Sequence, residues 1–192
     1  MRLFVAVDLD DGVRVAVSRL IARMRSRAAE TGRTRIGWVA PHRLHLTLHF
    51  LAHVDEIDGA RIAAAVSRPI ELPSFDVAFG GVGTFPPGSR ARVIWLGVRE
   101  GAESLVKLHE ITDARLRALG LDLETRPFAP HLTLGRLREG VSAPTLHSIV
   151  ASDADSGVGV SRVEAVRLYE SRLGAGGPTH TALAAGLLTM RS

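Results

Sequence analysis

The chain has 192 residues, of which 46% are hydrophobic and 23% charged, and it contains no cysteine. That length holds one ordinary domain or two small lobes sharing an interface, the composition excludes a disordered chain, and the missing thiols exclude disulfides and thiolate metal sites. The formal charge of +4 is a mild bias towards a polyanionic partner, because arginine engages phosphate through paired N–H donors.

The apolar run at the N-terminus is cut short by Asp8 and Asp10. It is too brief for a signal peptide or a membrane span, so a cytoplasmic protein is expected. Arg2 to Leu9 alternates as a strand does, Asp10 or Asp11 is placed to cap a helix, and Val13, Val17, Leu20, Ile21 and Met24 recur at helical spacing before a stop at Gly32. Ile36 to Val39 reads as a short strand closed by Pro41, and Leu44 to Leu51 as a second. A helix is predicted from Asp55 with Ile57, Ile62, Ala65 and Val66 inward, ending before Pro69 because the residue before a proline avoids the helical region. Phe75 to Phe79 reads as a strand, Gly80 to Gly83 and Pro86 to Ser89 as loops, and Arg92 to Val98 as a strand. A helix over Ala102 to Leu119 turns Leu105, Leu108, Ile111, Leu116 and Leu119 inward and stops at Gly120. Beyond Pro127 and Pro130 come a further strand, a short helix over Ala143 to Val150, a strand over Arg162 to Leu173, a turn at Gly174 to Gly177, and a closing strand from His180 to Thr189. Trp38 and Trp95 lie in apolar strands and are expected in the core, with the edge of the cleft as the alternative for Trp38. The order strand, helix, strand, helix, strand occurs twice, which points to an internal duplication.

One tetrapeptide is spelled in both halves, His45-Leu46-Thr47-Leu48 and His131-Leu132-Thr133-Leu134. Its alternation is that of a half-buried strand, with the leucines on the core face and the histidine and threonine together on the other. An imidazole, with an ordinary pKa near 6.5, serves as acid or base at neutral pH, and a pair around one atom can do both. Phosphodiester cleavage without a metal needs that pair, and the Thr47 and Thr133 hydroxyls are donors suited to phosphate oxygens. Arg136, after Gly135, is the candidate cation. A strict period of two sets Arg136 and its counterpart Phe50 on the leucine face. Either the strands end or bulge after the tetrapeptide, or these two residues are core and rim.

The paired motifs resemble those of the 2H phosphoesterase superfamily. Their surroundings are similar to its bacterial and archaeal RNA 2′,3′-cyclic phosphodiesterases, historically called 2′-5′ RNA ligases. The segments that carry the resemblance are Arg2 to Asp8, Trp38-Val39, Leu44 to Leu51, Pro127 to Arg136 and Leu168 to Leu173. The resemblance implies an α+β fold, bilobal, with two pseudo-symmetric antiparallel sheets facing a central cleft and helices on their outer faces, the whole of 1–192 forming a single domain of two interleaved lobes. It implies His45 as the general acid and His131 as the general base, a choice the residues alone leave open between two equivalent motifs. It also implies that Thr47, Thr133 and Arg136 hold the phosphate, that Phe50 stacks on the terminal base, and that the reaction opens an RNA 2′,3′-cyclic phosphate to a 2′-phosphomonoester. No metal and no cofactor is expected; the partner is RNA or a nucleotide with a cyclic phosphate, no membrane is involved, and the protein is expected to be a monomer. His180, after Gly177-Pro178, stands where such proteins often carry an aromatic residue.

Two other readings compete. An RNA-end-binding module would use the same cleft without turnover, and reversal of the same chemistry would join RNA ends through a 2′-5′ bond. A metal reading would need His42, His45, His49 and His53 on one helical face, against which stand Pro41 and the strand alternation. His109, His147 and His180 are read as surface or packing residues.

Overall fold

The computed structural model describes residues 1–31, 36–51, 53–138, 142–174 and 177–190. Its elements run β1 (Leu3–Val7), α1 (Asp11–Glu30), β2 (Ile36–Trp38), β3 (Leu46–Leu51), α2 (Glu56–Ser67), β4 (Ile70–Pro73), β5 (Phe75–Phe85), β6 (Val93–Glu100), α3 (Ala102–Arg117), β7 (His131–Leu137), α4 (Ala143–Val150), β8 (Gly157–Val163), β9 (Ala165–Gly174) and β10 (Gly177–Thr189). The strands form two five-stranded sheets, β3-β1-β9-β10-β4 and β2-β7-β6-β5-β8. Pairing is antiparallel except where β4 runs parallel to β10. The fold is α+β and bilobal, one sheet to each lobe.

The two halves of the chain are interleaved. β2 leaves the first half to edge the second sheet, while β9 and β10 return from the second half to complete the first. The helices cross over as well: α1 packs with α4 and β8, and α3 with α2 and β3. One continuous aliphatic core results, joining Val5 of β1 and Ile62 of α2 to Leu105 of α3 and Leu132 of β7. None of the described helices is long and apolar enough to cross a membrane.

Val13, Val17, Leu20, Ile21 and Met24 form the buried stripe of α1, at the three- and four-residue spacing that a helix needs to bury one face. Asp10 precedes this helix without capping it. Its Oδ2 instead accepts from Arg162 N at 2.8 Å while its own N–H donates to Ser161 Oγ at 2.8 Å, pinning the helix start to β8. The predicted stop at Gly32 lies outside the described residues. Asp55 does cap α2, its Oδ1 accepting from Asp58 N at 2.7 Å. Ile57 is not inward but 76% exposed. The buried face is Gly59, Ile62, Ala65 and Val66, and at about 100° per residue Ile57 stands about 140° around the helix from Ile62. α3 ends at Arg117, and Gly120 then turns the chain with φ at 84°.

Three strand expectations are corrected. Gly80 to Gly83 is not a loop: β5 continues through it to Phe85, paired with β6 and β8. The glycines are there for room, since the Trp95 indole lies where a side chain on Gly83 would stand. Arg162 to Leu173 is not one strand either. β8 ends at Val163 in the second sheet and β9 starts at Ala165 in the first, so Glu164 marks a crossing between lobes. Ile70–Pro73, for which no strand was expected, pairs with β10. Residues 175 and 176 of the expected turn lie outside the described residues, and β10 begins at Gly177, ahead of His180.

Candidate active site

Both tetrapeptides sit against a bulge. β1 pairs with β3 as Phe4 opposite Phe50, Val5 opposite His49 and Ala6 opposite Thr47, which leaves Leu48 without a partner. β6 pairs with β7 as Val93 opposite Arg136, Ile94 opposite Gly135 and Trp95 opposite Thr133, which leaves Leu134 without one. An extra residue in one strand restarts the alternation in the opposite phase. Phe50 therefore shares the face of Thr47, and Arg136 that of Thr133. The conflict posed by a strict period of two is resolved by the bulge, at the same letter of each copy. Leu46, Leu48, Leu132 and Leu134 are all 5% exposed or less, whereas Phe50 is 63% exposed. Thr47 and Thr133 are half-buried, and neither hydroxyl is engaged by another described residue. Although they belong to different sheets, β3 and β7 pack alongside one another.

His45 falls just before β3, in a link held by Arg14 of α1. Arg14 Nη1 donates to the carbonyls of Pro41 at 3.0 Å and Leu44 at 3.1 Å, and Nη2 to that of Leu9 at 3.2 Å. The His45 ring stacks on Phe4 at 4.6 Å between centroids and is met edge-on by His180 at 5.2 Å. Burial, and then the charge of His180, pull the His45 pKa down to about 4 against the upward pull of the Arg43 carbonyl and Asp8. In the free protein this imidazole is therefore neutral at pH 7. Phe4 also stacks on Tyr169 at 5.2 Å. Tyr169 Oη donates to Asp8 Oδ1 at 2.6 Å, and Asp8 Oδ2 pairs with Arg167 Nε at 2.7 Å. Burial and the bond to Asp8 raise the Tyr169 pKa, so the phenol keeps its proton. A cleft of about 300 Å³ opens here, lined by Asp8, Arg14, His42, His45, Tyr169 and His180.

His131 opens β7 and is oriented differently. Its Nδ1–H donates to the Ala129 carbonyl at 2.7 Å. With the proton on Nδ1, the lone pair is on Nε2. Phe85 meets the ring edge-on at 5.1 Å and lies 5.1 Å from Trp95. Trp95 is not a core residue: it is half-buried, opposite Thr133. Trp38 is half-buried too, against Gly135.

The four histidines of the metal reading do not share a helical face. His42 is in a 3₁₀ turn, His45 in the link, His49 in β3, and His53 at a φ of 60°. His49 is buried on the leucine side, where its Nε2 lies 2.8 Å from Thr112 Oγ1 and 3.2 Å from the His109 carbonyl. Among the described residues His49, His109 and Asp113 bring three donor atoms within 4.8 Å of one another. His49 Nε2 is committed to α3, however, and Asp113 Oδ2 to Arg117 Nε at 2.6 Å, so the group serves as a hydrogen-bonded seam between β3 and α3.

Asp8, Arg14, His42 and His180 line the cleft beside His45 and are not reached by the motif reading. Asp8 and Tyr169 stand within the segments that carry the family resemblance, while His180 was signalled only as an unusual residue at an aromatic position.

A sequence profile of the 2′-5′ RNA ligase superfamily matches residues 13–173, and the chain belongs to that family of enzymes. It is 35% identical over 180 residues to a protein of Archaeoglobus fulgidus named RNA 2′,3′-cyclic phosphodiesterase, covering 94% of this chain and 96% of the relative. A Thermotoga maritima protein of the same name is 33% identical over 184 residues, covering 95% and 93%. Among solved structures, a Thermus thermophilus protein superposes with a TM-score of 0.78 at 27% identity over 100% of both chains. Escherichia coli LigT in complex with 3′-AMP gives 0.75 at 29% identity over 98% of each. The resemblance read from the two tetrapeptides and the architecture expected from it are both borne out.

Proposed function

We propose that this chain hydrolyses 2′,3′-cyclic phosphodiester ends of RNA to 2′-phosphomonoesters, with two histidines and no metal. The observation that carries the reading is the matched pair of bulges, which puts Phe50 on the face of Thr47 in β3 and Arg136 on the face of Thr133 in β7, each downstream of a motif histidine. The names of the Archaeoglobus and Thermotoga relatives supply the substrate.

Water attacks the phosphorus while His131 Nε2 takes a proton from it. The bond from phosphorus to O3′ breaks, and His45 gives its proton to that oxygen. An anionic phosphate favours the imidazolium form of a nearby histidine, so substrate loads the acid whose pKa in the free protein is about 4. Thr47 and Thr133 donate to the non-bridging oxygens, the Arg136 guanidinium neutralises charge on them, and Phe50 stacks on the terminal base. One copy of the chain carries both histidines, so a monomer suffices. The shared order of elements and the shared bulge support an origin of the two lobes by duplication within a single domain.

The test is incubation with adenosine 2′,3′-cyclic phosphate in EDTA, with the product identified by phosphorus NMR. Adenosine 2′-phosphate is the expected product. Binding without turnover would overturn the proposal in favour of an RNA-end-binding module, loss of turnover in EDTA would overturn the metal-free mechanism, and a 3′-phosphate product would overturn the assignment of O3′ as leaving group. With two RNA ends supplied, a 2′-5′ linked product would reveal the reverse reaction.

A further inference from the structure

The cleft beside His45 is larger than one phosphate needs. Its volume of about 300 Å³ is roughly ten times the 30 Å³ share of a water molecule. Its surroundings are also cationic. The donors of Arg14 go to backbone carbonyls, which satisfies its hydrogen bonds without neutralising its charge. Arg43 Nε is buried with no acceptor among the described residues, and Arg43 Nη1 reaches only the Pro178 carbonyl at 3.5 Å. Asp8, the carboxylate of the lining, is already taken by Arg167 and Tyr169. His42 and His180 both line the cleft, Arg43 flanks it with Nη1 at the carbonyl of Pro178, two residues before His180, and protonation of His180 is opposed by the charges of Arg43 and His42. Chemistry at the cyclic phosphorus uses none of His42, Arg43 or His180.

We infer that this end of the cleft is a second phosphate subsite, in which His42, Arg43 and His180 receive the phosphate on O5′ of the nucleotide whose cyclic phosphate is opened beside His45. The inference rests on the function proposed above and on His45 as the acid at O3′. Only C3′, C4′, C5′ and O5′ separate that leaving oxygen from the 5′ phosphorus, so the group next beyond a proton donor at O3′ is the 5′ phosphate. The base, on C1′, lies across the ribose. An arginine backed by imidazoles suits a phosphate, because the guanidinium offers paired donors and each ring offers a further N–H.

Three substrates separate the sources of such a phosphate: adenosine 2′,3′-cyclic phosphate, its 5′-phosphorylated form, and a dinucleotide ending in a 2′,3′-cyclic phosphate. The two carrying a phosphate on O5′ are expected to have a kcat/KM higher by about tenfold or more, as one charge-assisted contact allows. That ratio should fall towards one in Arg43→Gln and in His42→Gln, the latter an exposed residue of a surface turn whose replacement spares the core. Equal kcat/KM for all three would overturn the subsite and leave the cyclic phosphodiesterase reading standing. A preference that survives in both folded variants would overturn the assignment to these residues. Calorimetry of adenosine 5′-monophosphate against adenosine reads the subsite without turnover. Should no substrate react, tighter binding of the monophosphate, lost in His42→Gln, would still support the subsite, and equal binding would overturn it.

Discussion

The ring of His49 lies stacked on that of His109, 4.2 Å apart between centroids and 19° between planes. Phe128 stacks in turn on His109 at 4.4 Å, so β3, α3 and the approach to β7 meet in one aromatic column. Burial, and then the charge of His109, hold the His49 pKa at about 4 despite the His109 carbonyl and Asp113. An unfolded histidine titrates near 6.5, so between 6.5 and about 4 the unfolded chain binds more protons and stability rises with pH. The contribution is complete above 6.5 and is lost as the pH falls to about 4. For this 6%-exposed residue it amounts to at most on the order of 3 kcal/mol. Urea denaturation at pH 7 and pH 4.5 should show the loss, and His49→Asn should reduce it, leaving the part that belongs to His45, His109 and His180, whose pKa values also lie below the ordinary value; an unchanged pH slope in the variant would refute the account.

His45→Ala and His131→Ala should each lower turnover by about 10² to 10⁴ while leaving circular dichroism unchanged, the usual worth of a positioned acid or base. The pH profile carries a sharper expectation. Loss of the acid forms the alkaline limb, and kcat/KM reports the free protein whereas kcat reports the complex. With free His45 at about 4 and a bound anion raising it, the alkaline limb of kcat/KM should lie at lower pH than that of kcat. Coincident limbs would show that substrate does not load His45.

Arg136→Ala should lower kcat/KM by about ten- to a hundredfold, the equivalent of a hydrogen bond to a charged group of about 1.5–3 kcal/mol. Arg136→Lys should recover only part, because a point charge replaces a planar fork. Steady-state kinetics of both variants decide it, and full activity in Arg136→Ala would place this side chain outside the phosphate site.

Gly135→Ala should destabilise the second sheet. A methyl there would stand 2.9 Å from Ile36 Cγ2 and 3.0 Å from Trp38 Cε3, and overpacking of this kind costs about 1–3 kcal/mol. A lowered Tm with unchanged denaturant m-value is expected. A Tm equal to that of the parent chain would mean that β2 yields freely.

What was readable in the chain was whatever is decided locally. The His-Leu-Thr-Leu alternation, the apolar stripe of α1 and the start of α2 at Asp55 are each set within a few residues, and each stands in the structure as read. The features that escaped are set by distant partners. Whether Phe50 faces Thr47 or the leucines depends on β1 lying alongside β3 with Leu48 left over, a fact of register. Arg162 to Leu173 is continuous in its strand preference, and only the competition of two sheets for its ends divides it at Glu164. Gly80 to Gly83 has the composition of a turn but answers to the bulk of Trp95. His180 reaches His45 from near the opposite end of the chain, where no spacing rule applies.

The unpaired leucines also give each motif strand one residue that it can lose without turning over. Without Leu48, His49 would follow Thr47 directly, the ladder from Ala6 opposite Thr47 to Val5 opposite His49 would be regular, and Phe50 would keep the face of Thr47. Without Leu134, Gly135 would follow Thr133 and Arg136 would keep its side in the same way. A deletion at either bulge therefore removes a buried leucine and leaves the site's face in place, whereas a residue inserted elsewhere in these strands exchanges the two faces beyond it, so that descent can shorten β3 and β7 at one point far more easily than it can lengthen them.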